Sequence, residues 1–456
     1  MSVFTKLTLR ALGVATISSL VLMAGGVATA QSPEQTPVGA IHAGSSDGVI
    51  PAYNGGIWEV PLGYARGDAY ISPFSDDRPI FTITSSNASQ YSSHLTPGLA
   101  ALLNRYPTSF SVPVYPTRRS ASFPQWYMDA SESSTPSASM SGTDQNAVIQ
   151  FSGGEGVIGI PFPNPTSGLE AISNHRMRYR GGSATATIQQ VAPQASGDYT
   201  MMETDLAYTS FIADTPVLLE GNIIRKYKER VRTPARIAGT SILVYDMVDH
   251  VANSQMNWTY SAGQRRVRRS PELVYDAPLE LADGLATYDM LDMFQGDTSR
   301  YEWTLEGRQE YILPYNAYDL INADYRNVVY RAHLNPEYTR FERHRVWVVK
   351  AELRDGMAHT YPSRTFYLDE DSWQILAAEH YDANGQLAVV SLAFPINFYD
   401  APTFMSAVDV HHNLSSGRYF ARGFLGRGER DASIDFDAVL EQHEFTPQAL
   451  RREGRR

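Results

Sequence analysis

Gly44-Ser45-Ser46-Asp47-Gly48 has the G-x-S-x-G spacing of a serine hydrolase's nucleophile elbow. That chemistry needs a strand leading into the turn and a helix leaving it, so that the serine stands above a parallel sheet. Here a Gly/Ser-rich stretch leads in and Ile50-Pro51 follows, which disfavours a helix, so the match reads as a chance one. Asp369-Glu370-Asp371 puts three acids in a row. Adjacent side chains in a strand or tight turn point apart, so three consecutive acids seldom close on one metal, and a solvated turn is expected. His411-His412 and the trio His333, His344 and His359 lack the i, i+4 spacing of a zinc protease, and no cysteine supplements them. Gly153-Gly154-Glu155-Gly156 lacks the Lys-Ser/Thr of a phosphate loop and is expected to be a turn. No catalytic residue, metal ligand or cofactor motif is therefore assigned. Gln264-Arg265-Arg266-Val267-Arg268-Arg269 is a sharp basic cluster in an acidic chain. On a strand, Arg266 and Arg268 face one way and Arg265 and Arg269 the other. Salt bridging to nearby acids is expected; the alternative is a grip on an anionic head group or an acidic partner.

The ends and composition bound what such residues could serve. Lys6 and Arg10, an apolar run over residues 11–27, and Ala28-Thr29-Ala30 follow the order of a cleavable signal peptide, with Gln31 first after cleavage. The run is Gly-rich and shorter than the roughly 20 apolar residues of a spanning helix. There is no cysteine, hence no disulfide and no lipobox residue for a lipid anchor. The expectation is a free periplasmic protein. Losing Lys6 and Arg10 takes the net charge from −11 to −13, which disfavours nucleic acid as a partner.

Residues 31–61, rich in Gly, Pro and Ser, are expected to form an extended arm, and residues 62–456 a single β-rich domain. Helices are predicted over 94–106 and 166–175, and a Ser-rich loop over 131–141. Strands are predicted over 176–191, 241–248, 255–260, 264–269 and 340–353. In the last, Phe341, Trp347, Val349, Ala351 and Leu353 share one parity, interrupted by Arg343 and Arg345, and a half-buried strand is expected. Asp355-Gly356 and Asn384-Gly385 predict hairpins joining it to 357–367, and 373–382 to 386–394. Successive hairpins make a meander that must curl or pack a second layer. The predicted fold is mainly β (α+β): a large curved antiparallel sheet forming an incomplete barrel, with a few helices on or across its concave face.

Several ordered motifs carry a resemblance. Trp258-Thr-Tyr260 and Arg265-Arg-Val-Arg-Arg-Ser-Pro271 come first, then Tyr301-x-Trp303, Pro314-Tyr-Asn316 and His344-Arg-Val-Trp-Val-Val349. Phe366-Tyr-Leu-Asp-Glu-Asp-Ser-Trp373 and Tyr381-Asp-x-x-Gly385 follow, with Asp47-Gly48-x-Ile-Pro51, Val114-Tyr-Pro-Thr-Arg118 and Gly159-x-Pro-Phe-Pro163 earlier in the chain. Together they resemble the bacterial family catalogued as domain of unknown function 1329. Ser173-Asn174-His175 departs from the pattern, which has Trp before Asn-His, and residues 390–394 lack an expected aromatic. The family is similar in fold to the periplasmic lipoprotein carriers LolA and LolB. The resemblance implies a non-enzymatic carrier of a lipid or other hydrophobic small molecule. It also implies, as partners, a resistance-nodulation-division exporter and an outer-membrane companion protein. Trp258, Tyr260, Trp347, Val349, Phe366 and Trp373 are the candidate cavity-lining residues, with core packing as the plainer reading of each. Arg266, Arg268 and Arg345 are the candidate polar or anionic contacts. A structural adaptor without a ligand is the second reading, and a hydrolase using Ser46 or a carboxylate pair ranks last.

Overall fold

Two helices form where their caps dictate. Thr96 accepts a hydrogen bond from the Leu99 amide (3.1 Å) and Pro97 opens α1 (Pro97–Arg105), whose Leu99, Leu102 and Leu103 are buried. Helix α2 spans Gln125–Ser134. Ser167 caps α3 (Gly168–Met177) through the Glu170 amide. The computed structural model describes residues 34–134, 138–142, 148–151, 159–210, 223–248, 256–270, 276–425 and 434–454. The expected signal segment with Ala30 and Gln31, and the Gly153–Gly156 group, lie outside the described residues.

The strands are β1 (Phe81–Ile83), β2 (Val112–Val114), β3 (Ala138–Ser141), β4 (Val148–Phe151), β5 (Ser183–Val191), β6 (Met202–Ser210), β7 (Ile223–Thr233), β8 (Ser241–Met247) and β9 (Met256–Ser261). They continue with β10 (Arg266–Ser270), β11 (Tyr301–Pro314), β12 (Phe341–Leu353), β13 (Ser363–Asp369), β14 (Ile375–Tyr381), β15 (Leu387–Phe398), β16 (Thr403–Asn413) and β17 (Arg418–Leu425). Fifteen of them form one sheet. From β11 it runs antiparallel through β12 to β17, crosses to β5, and continues through β6 to β10. The β1–β2 pair is attached through Phe341↔Val114. Among the described residues β10 and β11 each pair on one side only, so the sheet stays open, an incomplete barrel as predicted. Short helices α4 (Tyr318–Asn322) and α5 (Tyr325–Val328) follow β11, and α6 (Pro447–Glu453) lies on β8–β10.

Several local expectations are corrected. In the stretch expected to be a loop, residues 131–134 complete α2 and Ala138–Ser141 form β3, which pairs with β4. Strand β5 begins only at Ser183, because α3 runs to Met177. Residues 357–362 form a connection, and β13 starts at Ser363. Strand β12 is not half-buried: both faces are covered as far as Val349, and only then do Lys350 and Glu352 emerge. The reason is a layer on each side. Val346 and Val348 join a cluster with Leu99 and Leu102 of α1. Trp347, Val349 and Ala351 join one with Ile172 and Met177 of α3.

The extended arm packs on the body. Val38 and Ala40 are fully buried, the Trp373 indole donates to the Val38 carbonyl (2.8 Å), and Arg308 donates to the Gly39 carbonyl (2.9 Å). Gly39, at φ 97°, is required here, because a Cβ would stand 2.1 Å from the Pro163 carbonyl oxygen. Phe366 sits fully buried among Phe294 and Trp303 at centroid distances of 5.4 and 5.9 Å. Phe366→Ala should lower the unfolding free energy by about 3–5 kcal/mol, measured by urea denaturation.

Candidate functional site

Four of the six candidate lining residues come together, as packed core. Trp347 and Trp373 stack at 6.0 Å, and Val349 and Phe366 lie in the same cluster. Arg308 covers the Trp347 ring at 4.1 Å. Trp258 and Tyr260 lie elsewhere, on the face of β9 that α6 covers with Leu450. Tyr260 is fully buried there, and a Cβ at Gly454 would meet its ring at 2.2 Å. None of the six lines a cavity described below. Arg345 is paired with Glu370 at 2.7 Å. Arg266 and Arg268 are exposed on the edge strand β10 and form no ion pair among the described residues, contrary to the expected salt bridging. Ser46 sits in an exposed turn with no helix following it, so the elbow geometry is absent there.

The acidic triplet is buried, not solvated. Asp369, Glu370 and Asp371 are at most 1% exposed. Arg119 brings this about: its Nε and Nη2 donate to both Asp371 oxygens (2.9 and 2.5 Å) and Nη2 also to Glu370 (3.2 Å). Glu370 further meets Arg345 and, at 3.4 Å, Arg308. Asp369 accepts from Tyr315 (3.1 Å) and Ser372 (2.5 Å), and its Oδ1 has no partner. Burial, then repulsion by Asp371, pushes the Asp369 carboxyl well above the carboxylate range and Glu370 to about 7. His344, Asp369 and Asp371 offer atoms within 4.8 Å of one another, the reach of a cation site. Arg119 already occupies both oxygens of Asp371, and His344 is bound to Glu342 (3.0 Å). Two of the three donors are thus engaged by protein groups, and Arg119 makes the acids an ionic clamp between segments.

A cavity of about 130 Å3, or about 660 Å3 with its open mouth, lies where the sheet curves from β16 to β7. Leu206 and Tyr208 of β6, Tyr227 of β7, Met405 of β16 and Leu291 give it apolar walls. Arg225 and Glu229 of β7, Asp409 of β16, Arg422 of β17, Arg180 and Asp292 give it charge. The alternation of β7 turns Arg225, Tyr227 and Glu229 inward together. Asp292 and Met293 adopt left-handed backbone (φ 52° and 65°), a strain that turns the Asp292 carboxylate toward Arg178 (2.5 Å) and Arg180. Burial, then attraction by Arg178 in the opposite sense, leaves Asp292 well below the usual carboxylate range. Burial pushes Asp409 up to about 6 and pulls Arg225 down to about 9, so Arg225 stays charged at neutral pH.

Residues 82–451 match the family model described as a protein of unknown function, DUF1329. The chain belongs to this family. It is 39% identical over 428 residues to the uncharacterized protein PA3922 of Pseudomonas aeruginosa, covering 92% of this chain and 91% of that protein. A DUF1329 family protein from Desulfovibrio piger aligns at TM-score 0.44 and 13% identity, over 62% of this chain and 97% of that one. The LolA superfamily protein NE2245 from Nitrosomonas europaea aligns at 0.35 and 13%, over 62% and 98%. Among the motif residues, Asn316 holds Glu342 (2.9 Å), and Asn174 holds both backbone groups of Phe162 (3.0 and 2.6 Å). Ser173, standing where the pattern has Trp, is bonded to the Leu169 carbonyl (2.6 Å).

The cavity residues escaped the sequence reading because β7 is polar on both parities; the inward set Arg225, Tyr227 and Glu229 was the available signal. Arg119→Ala should cost about 3–5 kcal/mol, because it strands buried carboxylates, and a urea midpoint would register it. Asp409 keeps its proton up to about pH 6 in the fold, whereas the unfolded chain releases it near 4. Its ionisation therefore destabilises the fold as pH rises through that window. Asp409→Asn should raise the melting temperature more at pH 8 than at pH 5 in paired thermal scans.

Proposed function

We propose that this protein is a periplasmic carrier that shelters a hydrophobic ligand in the cavity between β6–β7 and β16. The observation that carries the reading is that cavity: an opening on the curved side of an unclosed sheet, walled by Leu206, Tyr208, Leu291 and Met405. Its volume of about 130 Å3 is close to that of the roughly 150 Å3 cavities that accept benzene. It therefore suits a ring or a few methylenes, with the rest of a chain lying in the wider mouth. Each buried CH2 contributes about 0.8 kcal/mol, so even a partly inserted chain would be retained. Among the described residues no helix is long and apolar enough to cross a membrane. Release to an exporter or an outer-membrane companion would then need only a competing apolar site.

A ligand-free adaptor is the second reading. It is favoured by the exposed side chains of Trp58, Val60 and Leu62 on one stretch of the arm, and by the filled aromatic core around Trp347. Native mass spectrometry with lipid extraction on protein taken from its own periplasm separates the two. A carrier should retain an apolar molecule and take up a fluorescent fatty acid, and Met405→Trp should weaken that uptake at least about tenfold by filling the site. No co-purifying molecule and no uptake would leave the adaptor.

A further inference from the structure

The charges around the cavity are unequal in how well they are met. Three guanidiniums, of Arg180, Arg225 and Arg422, and three carboxylates, of Glu229, Asp292 and Asp409, line it, and Arg178 and Asp246 pair with them from outside the lining. His175, beside Asp292, is held neutral by burial. Asp292 is engaged by Arg178 and Arg180, and Glu229 by Arg422. Asp246 lies behind Arg225 and is shared, at 3.4 Å from it and 3.8 Å from Arg176. Asp409 accepts from Ser406 (2.6 Å) and has no guanidinium within ion-pair distance.

Arg225 is the group left short. Its side chain is 4% exposed, yet among the described residues it uses one of five N–H donors, in a long 3.4 Å bond to Asp246, and its Nε has no partner there. A buried cation so thinly paired is costly unless something else meets it. It lines a cavity that also presents the apolar side chains of Leu206, Leu291 and Met405. We propose that the cavity takes an anionic amphiphile, its carboxylate or phosphate head on Arg225 and its chain along Leu206, Leu291 and Met405 toward the mouth. This rests on the carrier reading and names its ligand class. A carboxylate or phosphate on Arg225 gains two charge-assisted hydrogen bonds inside a poorly hydrated site, which an alcohol of equal length cannot. Ionised Asp409, which lines the same cavity from β16, opposes the anion.

Calorimetric titration of the full chain at pH 8, below micellar concentrations, tests this with dodecanoate, dodecyl phosphate, 1-dodecanol and inorganic phosphate. Both anionic amphiphiles should bind at least about tenfold more tightly than dodecanol, and inorganic phosphate should not displace them. Their ratio tells a carboxylate from a phosphate head. Arg225→Gln should bring both anions to the dodecanol level and leave dodecanol unchanged. Asp409→Asn should strengthen the anions about threefold by removing a like charge. If dodecanol matches dodecanoate and Arg225→Gln moves neither, the anionic head is wrong while the carrier stands. If no dodecyl compound binds, the carrier reading falls and this inference with it. Displacement by inorganic phosphate would overturn the amphiphile. Should Arg225→Gln not fold, an unchanged dodecanoate affinity in Asp409→Asn overturns the proposal.

Discussion

The burial of three successive carboxylates at the β13–β14 turn is the constraint on which the rest of the structure leans. Arg119 reaches them from a loop 252 residues earlier in the chain, Arg345 from the neighbouring strand, and Arg308 from the strand beyond it. Buried ion pairs add little net stability over a well-packed apolar equivalent, but removing one partner is expensive. Such an arrangement selects one geometry more than it strengthens it. Here it fixes a tight turn that holds Trp373 at φ 62°, a conformation a bulky side chain adopts only when its surroundings demand it.

From that tryptophan the structure spreads outward. Its indole N–H ties down the arm at Val38, and its carbonyl lies 3.0 Å from Nδ1 of His175 near the end of α3. The next residue, Gln374, accepts from Arg178 (2.8 Å), which in turn holds Asp292. The wall of the cavity is thus fastened, through α3, to the same turn that anchors the arm. Clamp and cavity are two ends of one polar chain running through a mostly apolar interior.

Much of the architecture was legible where it is local. Strand β12, the β14–β15 hairpin at Asn384-Gly385 and α1 follow from period, turn residues and caps, and appear where predicted. What was not legible depends on residues far apart in sequence. Asp369–Asp371 reads as a solvated turn until Arg119 is placed beside it. The aromatic residues of β12–β14 suggest a lined cavity, yet Ile172 and Met177 of α3 fill the space before them. The cavity takes Arg225 and Glu229 from β7, which is polar on both parities, so hydropathy carries no warning of it. Arg266 and Arg268, expected in salt bridges, stand exposed on β10, which among the described residues pairs only with β9 and has no strand on its other side.

The junction between β17 and β5 has a temporal meaning. Strands β5 to β10 precede β11 to β17 in the chain, yet the two meanders become one sheet only through Ala421↔Val191 and its neighbours. While the chain emerges from its amino end, β5 keeps a bare margin, open to mispairing, until β17, which begins 227 residues after Val191, has appeared. The cavity straddles that junction, with Leu206 and Tyr227 on one side and Met405 and Arg422 on the other. It is therefore complete only when the strands of both meanders have joined.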